Sequence, residues 1–156
     1  MNKFMRVVTH LAFTILCFLF YLDYVDVHNP ILFLAVALFI TLFVDIDEPE
    51  STIGKIFWPF AKLTNFIFGH RGLLHSLMVP IMFFCIFSFF QLQEIAIAVV
   101  FGYVSHLVMD MISPAGIFPL YPIKWRIHGP IKGGSFLEYF IAFTFLAIII
   151  FKLLSV

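Results

Sequence analysis

Five long apolar segments constrain the fold of this 156-residue chain more than any other feature. Each is roughly 17–20 residues long, enough for a helix rising about 1.5 Å per residue to cross a bilayer core of about 30 Å. Hydrophobic residues make up 63% of the chain and charged residues only 12%, which excludes a soluble globular domain. We predict an all-α, polytopic membrane bundle forming a single domain over residues 1–156. The predicted spans are 5–22, 30–46, 74–91, 95–112 and 136–154.

The basic residues are distributed asymmetrically around these spans. Eight of the nine lie at the amino terminus or in the two long loops, and Lys152 alone lies near the opposite end. Because loops rich in Lys and Arg stay in the cytoplasm, we expect a cytoplasmic N-terminus and an outward C-terminus. The first span lacks a small-residue cleavage site, so we expect it to be retained. We predict a prokaryotic cytoplasmic (inner) membrane protein.

Two predicted cytoplasmic segments differ from the spans. Residues 51–68 place apolar side chains at helical spacing around Lys55, Trp58 and Lys62, a pattern typical of an amphipathic helix lying in the membrane interface. The loop 113–135 contains four prolines and four glycines. Irregular backbone near membrane depth is tolerated where it lines a watery cavity. We expect the helix and the loop to shape access to a site.

Seven side chains of metal-binding types fall near the cytoplasmic ends of the predicted spans. An ionisable group in or beside hydrocarbon is costly unless it is paired, binds a metal or lines a wet cavity. A site built between facing helices would place all of its side chains at the same membrane face, as these seven are predicted to be. The candidate metal ligands are His10, Asp45, Asp47, His70, His75, His106 and Asp110.

The spacing of these residues indicates a shared metal site. His106 and Asp110 are four residues apart on a predicted helix, so both project from one face. Asp45 and Asp47 lie where the second span ends, so the backbone can leave helical geometry and turn both carboxylates inward. Mixed imidazole and carboxylate ligands favour zinc, manganese or iron over calcium or magnesium. A divalent ion lowers the pKa of a bound water to about 7, so we predict hydrolysis.

Arg71 and Ser76 belong to the same short block as two of the histidines, which indicates a role with substrate. Arginine binds phosphate oxygens through a planar fork, although it is equally typical of a lipid-headgroup anchor. Arg126 has the same two interpretations, and its charge attracts an anionic substrate in either case. Asp47 is predicted as either a ligand or the general base.

Some polar residues also have a purely structural interpretation. A single histidine such as His10 can hydrogen-bond a neighbouring membrane helix. His28 lies in a turn at the opposite end and is predicted to be exposed. Cys17 and Cys85 lie in separate spans and are predicted to be packing residues rather than ligands or a disulfide.

Three motifs in this chain resemble those of the YdjM-type family of membrane proteins. The motifs are residues 70–76 (HRGLLHS), 102–106 (GYVSH) with Asp110, and 113–116 (SPAG). The resemblance covers nearly the whole chain, and it implies a membrane-bound, metal-dependent hydrolase. Two positions depart from the family pattern: Val44 stands in place of a usual proline, and Ser113 in place of a usual threonine.

That family is similar in turn to zinc-dependent phospholipase C and the P1-type nucleases, which are helical phosphodiesterases. Ligand-type residues follow the same order here: His10, Asp45 or Asp47, His70 or His75, then His106 with Asp110. The HisxxxGlu pair of those enzymes has no match, although His128 and Glu138 can substitute in part. The resemblance therefore implies a site with two metal ions rather than three, and zinc is the metal that it favours.

Together these observations predict a membrane-embedded phosphoesterase that acts at the cytoplasmic face on a lipid or another amphiphile. The expected partners are the bilayer and a phosphate-ester substrate, with no nucleic acid; the oligomeric state is left open. A metal transporter is the first alternative, although it needs ligands along a path through the bilayer. A non-catalytic scaffold is the second. A metalloprotease is disfavoured because the chain has no HisGluxxHis motif.

Overall fold

The computed structural model describes residues 3–68 and 72–155, and its regular elements are helical in both ranges. The α-helices are α1 (Lys3–Tyr21), α2 (Pro30–Phe43), α3 (Thr52–Ile56), α4 (Trp58–Phe68), α5 (Met78–Phe89), α6 (Gln93–Met111) and α7 (Phe136–Leu154). Two 3-10 turns lie at Val44–Asp47 and Leu73–His75. The predicted all-α class is confirmed. His70 and Arg71 lie outside the described residues.

Three helical segments within the described residues are long and apolar enough to cross a membrane: Pro30–Asp47, Gln93–Met111 and Phe136–Leu154. Two shorter apolar segments, Val7–Tyr21 and Met78–Phe89, accompany them. The second of these has only 12 residues, a length of about 18 Å at 1.5 Å per residue. The membrane class is therefore supported, and the count of five spans stays a prediction.

Helix α5 begins later than predicted. The sequence predicted a span from residue 74, but Ser76 is extended (φ −117°, ψ 158°) and the helix begins at Met78. The Leu77 amide donates to the carbonyl of Pro119 at 2.9 Å, which ties this segment to the long loop. Pro80 is compatible with the first turn, where amides need no partner within the helix. His75 thereby lies in a 3-10 turn.

The predicted interfacial segment is also interrupted. It forms α3 and α4, which meet at Phe57 (φ −103°, ψ 38°), where the predicted single helix was wrong. Pro59 follows in the first turn of α4. The apolar side chains of α4 are largely exposed: Phe66 has 88% of its surface exposed. The ammonium of Lys62 lies 4.4 Å from the Trp58 ring centre. These features agree with an interfacial position.

Helix α6 is the centre of the bundle and packs against α1, α2 and α5, whereas α7 packs against α1. Gly102 permits the close approach of α2, because a Cβ there would lie 2.2 Å from the carbonyl oxygen of Ala37. The Thr41 hydroxyl lies 3.0 Å from that of Thr14 and also bonds the Gly102 carbonyl. Helices α1, α2 and α6 are thus joined by polar contacts as well as by packing.

The Pro- and Gly-rich loop is ordered by backbone contacts. Ile117 and Ile127 form an isolated antiparallel bridge. Gly116 precedes it with φ +62°, and a Cβ there would meet the Ile127 carbonyl oxygen at 2.2 Å. The Arg126 guanidinium donates to the carbonyls of Pro114 and Ala115. The loop therefore returns to the end of α6.

Candidate metal centre

The first 3-10 turn positions two carboxylates. Asp45 departs from helical geometry (φ −76°, ψ 16°), so the turn can direct both Asp45 and Asp47 toward the bundle. Two side chains from the following segments fix its backbone: Ser51 donates to the Asp45 carbonyl at 2.7 Å, and Asn65 donates to the Asp47 carbonyl at 3.1 Å. Helices α3 and α4 thus support the carboxylates.

The second 3-10 turn positions His75. Its side chain is completely buried. The Tyr103 hydroxyl of α6 donates to the Leu74 carbonyl, and the Ser76 hydroxyl donates to the Leu73 carbonyl at 2.7 Å. Ser76 is itself fully buried, so its hydroxyl shapes the turn that carries His75.

Helix α6 supplies His106 and Asp110 from its buried face. The Nδ1 atom of His106 lies 2.7 Å from the carbonyl oxygen of Thr41, which accepts only if Nδ1 carries the proton. Nε2 then presents its lone pair on the other side of the ring. This is the orientation that a histidine needs to bind a metal.

Four ligand atoms meet at this point. The Asp45 Oδ1 atom lies 3.6 Å from Nε2 of His75 and 3.5 Å from Nε2 of His106. The Asp110 Oδ2 atom lies 3.3 Å and 3.5 Å from the same two nitrogens. All four atoms lie within 4.8 Å of one another. Three of the side chains are no more than 2% exposed, and that of Asp45 is 27% exposed.

The distances of 3.3–3.6 Å between these nitrogen and oxygen atoms are closer to those between ligands of one divalent ion than to those of direct hydrogen bonds. Neighbouring ligands at about 2.0–2.1 Å from a tetrahedral zinc ion lie about 3.4 Å from one another. A hydrogen bond from imidazole to carboxylate is shorter, at about 2.7–2.9 Å. The atoms of Asp45, His75, His106 and Asp110 therefore have both the chemistry and the spacing of a metal site.

Asp47 lies behind His75 rather than among the four ligand atoms. Its Oδ2 atom is 3.4 Å from Nδ1 of His75, whereas Nε2 of the same ring faces Asp45 and Asp110. A carboxylate on the far side of a ligating imidazole fixes the orientation of the ring. The sequence predicted Asp47 as a ligand or general base, and the structure places its carboxylate next to the candidate ligand His75.

His10 approaches the other oxygen of Asp110. Its Nε2 atom lies 3.4 Å from Asp110 Oδ1, and its ring centre is 4.5 Å from that of His106. A cavity of about 30 Å³ adjoins this contact and is also bounded by Thr9, Ser113 and Glu138. Since one water needs about 10–15 Å³, the cavity has room for water beside Asp110.

Three further predicted residues, His128, Arg126 and Glu138, are not part of the four-ligand group. His128 is exposed, and Arg126 bonds loop carbonyls. Glu138 is buried at the start of α7, where its carboxylate accepts from the Gly134 amide while it lines the cavity with His10. His70 and Arg71 cannot be placed because they lie outside the described residues.

Sequence reasoning missed the residues that orient the ligands. Thr41 contacts His106 through its carbonyl, and Tyr103 fixes the turn that carries His75. The contact through the Thr41 backbone carbonyl leaves no signal in the sequence, whereas the hydroxyls of Thr14 and Thr41 in apolar helices indicate only a polar contact between helices.

Comparison with known proteins identifies the family. The family model described as "YdjM inner membrane protein" matches residues 5–155. The chain belongs to this family. Inner membrane protein YdjM of Escherichia coli (strain K12) is 35% identical over 114 residues, which cover 67% of this chain and 58% of that protein. The chain thus spans under two thirds of that relative's length.

A second relative comes from a different bacterium. The uncharacterized protein YvsG of Bacillus subtilis (strain 168) is 34% identical over 113 residues, covering 70% of this chain and 71% of that protein. No solved structure matches the chain significantly. The similarity to phospholipase C and P1-type nucleases therefore stays an expectation. Membership of a family named for inner membrane proteins agrees with the apolar helices of this chain.

Proposed function

We propose that this YdjM-family protein is a metal-dependent hydrolase that cleaves a phosphate ester of a lipid or another amphiphile. The observation that carries the proposal is the group of four converging ligand atoms from Asp45, His75, His106 and Asp110. Removal of a carboxylate from water costs several kcal/mol, and a bound divalent ion is one way to compensate this cost while both imidazoles stay neutral. Two imidazoles and two carboxylates suit zinc best, with manganese or iron as alternatives.

A second ion is proposed between His10 and Asp110. Asp110 directs Oδ2 to the four-ligand group and Oδ1 to His10, so His10 and the second oxygen of Asp110 would hold that ion. The adjoining cavity provides the position for water, and Glu138 contributes a further carboxylate to its wall. When bound, the ions supply Lewis acidity that lowers the pKa of water and neutralises charge on the reacting phosphate.

The other predicted residues have supporting roles in this proposal. Asp47 is a positioning residue that holds the His75 ring. Arg71 is proposed to bind the substrate phosphate, and His70 to contribute another imidazole, since both directly precede the turn that carries His75. By the distribution of basic residues, we place this end of the bundle in the cytoplasm of a prokaryotic cell.

The proposal is tested by incubating the zinc-loaded protein in vesicles of phosphatidylethanolamine, phosphatidylglycerol and phosphatidic acid. Released headgroup or phosphate is measured by mass spectrometry. We expect hydrolysis that a chelator abolishes and that zinc restores. The Asp110→Ala variant should lose at least about 100-fold in rate, because charge on the reacting phosphate is no longer stabilised.

His28→Ala is the matched control, because His28 is exposed and lies in the turn at the opposite end of the bundle. It should retain the parent rate. Equal hydrolysis by the Asp110→Ala variant would contradict the proposal. An absence of hydrolysis together with zinc flux into the vesicles would favour the metal transporter instead.

A further inference from the structure

An apolar groove lies on the two helices that carry His10, His106 and Asp110. It has a volume of about 350 Å³ and runs between α1 and α6, where Phe13, Phe101 and Val104 form part of its wall. A second hollow of about 170 Å³ lies on the α5 side of α6. Val100 and Val104 line both, so the two hollows are neighbours on one helix.

The wall on α6 continues from the groove to the polar cavity. Val104, Val108 and Ile112 are successive members of one helix face at spacings of four residues. The first two line the groove, and Ile112 lines the cavity that contains Asp110. The groove and the cavity therefore follow each other along α6.

The wall on α1 shows the same continuity. Thr9, Phe13 and Cys17 are also spaced by four residues. Thr9 lines the cavity, whereas Phe13 and Cys17 line the groove. Because both walls continue on one face, the groove and the cavity follow each other along the same two helices, and we treat them as one path with a polar end at Asp110 and an apolar end between α1 and α6.

We infer that this path binds one phosphate-bearing membrane lipid, with a fatty acyl chain in the groove and the headgroup at the metal centre. The headgroup position rests on the proposed function. Ser105 is the polar residue of the groove wall, and its hydroxyl already donates to the Phe101 carbonyl at 2.7 Å. The wall thus suits a hydrocarbon chain.

The length of the path also suits an acyl chain. From Ile112 to Ile97 the helix rises about 22 Å at 1.5 Å per residue, comparable with a long acyl chain in one leaflet of about 15 Å plus its headgroup. A lipid could therefore enter sideways from the bilayer and reach Asp110 while its chain stays in an apolar environment.

The test uses phosphatidic acid that carries a photoreactive diazirine in one palmitoyl chain. The full-length protein is placed in phosphatidylcholine vesicles with this probe, irradiated and digested, and the adducts are located by mass spectrometry. We expect adducts concentrated on Phe13, Cys17 and Val104, and their loss when excess unlabelled phosphatidic acid is added. Phe143 of α7 reports ordinary contact with the bilayer, because it is 71% exposed.

Val104→Trp should abolish the groove adducts by filling the groove. Ile150→Trp is the matched control, because Ile150 lies on an exposed part of α7, and it should leave the adducts unchanged. Both variants are first checked for the parent's elution volume in detergent.

Equal labelling of the groove and of Phe143 would overturn the inference, as would crosslinks from the groove to a second copy of the chain. The readout needs neither metal nor turnover. Saturable groove adducts without zinc binding would support lipid binding in the groove and contradict the proposed hydrolase. Hydrolysis without groove adducts would support the hydrolase and contradict lipid binding in the groove.

Discussion

The ionisable side chains at the two ends of the bundle differ in solvent exposure. At the far end, Lys152 pairs with Asp23, and their side chains are 19% and 45% exposed. At the metal-centre end, the side chains of His75, His106 and Asp110 are no more than 2% exposed. A solvated pair is stable without further partners, but burial of a carboxylate costs several kcal/mol unless hydrogen bonds, a protonated imidazole or a metal ion compensate it. This contrast in burial supports the proposal that the metal-centre end is the functional end.

The largest expected difference between the ends is in metal affinity. Four-ligand zinc sites bind with about 10–16 kcal/mol, or about 3 kcal/mol per ligand, so His106→Ala should weaken zinc binding by at least about 100-fold. Asp23→Ala at the far end should leave it unchanged. Competition with a chromophoric chelator measures both affinities. Equal zinc affinities in the two variants would show that the two ends of the bundle do not differ in zinc binding.

A smaller loss of affinity is expected at Asp47. Its carboxylate lies 3.4 Å from Nδ1 of His75, so Asp47→Asn should loosen the ring and lower zinc affinity about 10–100-fold. Glu94→Gln is the control, because Glu94 accepts from the Asn29 amide at the far end. The same chelator competition applies. A loss as large as that of His106→Ala would make Asp47 a direct ligand.

Sequence reasoning predicted the all-α class because segment length and apolar character are local properties. The span 136–154 coincides with α7, which has Ser135 as its N-cap. The start of α5 was predicted incorrectly, because the Leu77–Pro119 contact is made across the fold and leaves no periodic signal.

The candidate site was predictable in its residue types and not in its geometry. The costly burial of Asp and His in an apolar chain is visible in the sequence. Whether Asp47 contacts Nδ1 or Nε2 of the His75 ring cannot be read from the sequence, and this contact decides whether Asp47 lies behind the ring. Likewise, the Thr41 carbonyl can be matched to His106 only after α2 and α6 are packed.

Stability should also depend on the polar contact between helices near the metal-centre end. The Thr41 hydroxyl contacts α1 and α6, so Thr41→Val should lower the free energy of unfolding by about 1–2 kcal/mol. Thr144→Val is the control, because that hydroxyl bonds only the Phe140 carbonyl of its own helix among the contacts described. Unfolding in sodium dodecyl sulfate measures both. Equal losses would show that the contact between helices contributes nothing extra.

The smallest effect is expected at the exposed ion pair. Asp23→Asn removes the carboxylate that pairs with Lys152, and it should change the free energy of unfolding by less than about 1 kcal/mol. Raising the salt concentration should reduce this difference further. The same unfolding assay at two ionic strengths provides the measurement. A larger, salt-independent loss would show that the far end also depends on a buried electrostatic contact.

X-ray absorption at the zinc edge of the purified, zinc-loaded protein tests the central claim most directly. The account predicts at least one zinc ion per protein, with nitrogen and oxygen ligands at about 2.0–2.2 Å that include the His75 and His106 imidazoles, and fewer imidazole ligands in the His106→Ala variant. Zinc that is absent, or that keeps the same imidazole ligands in that variant, would contradict it.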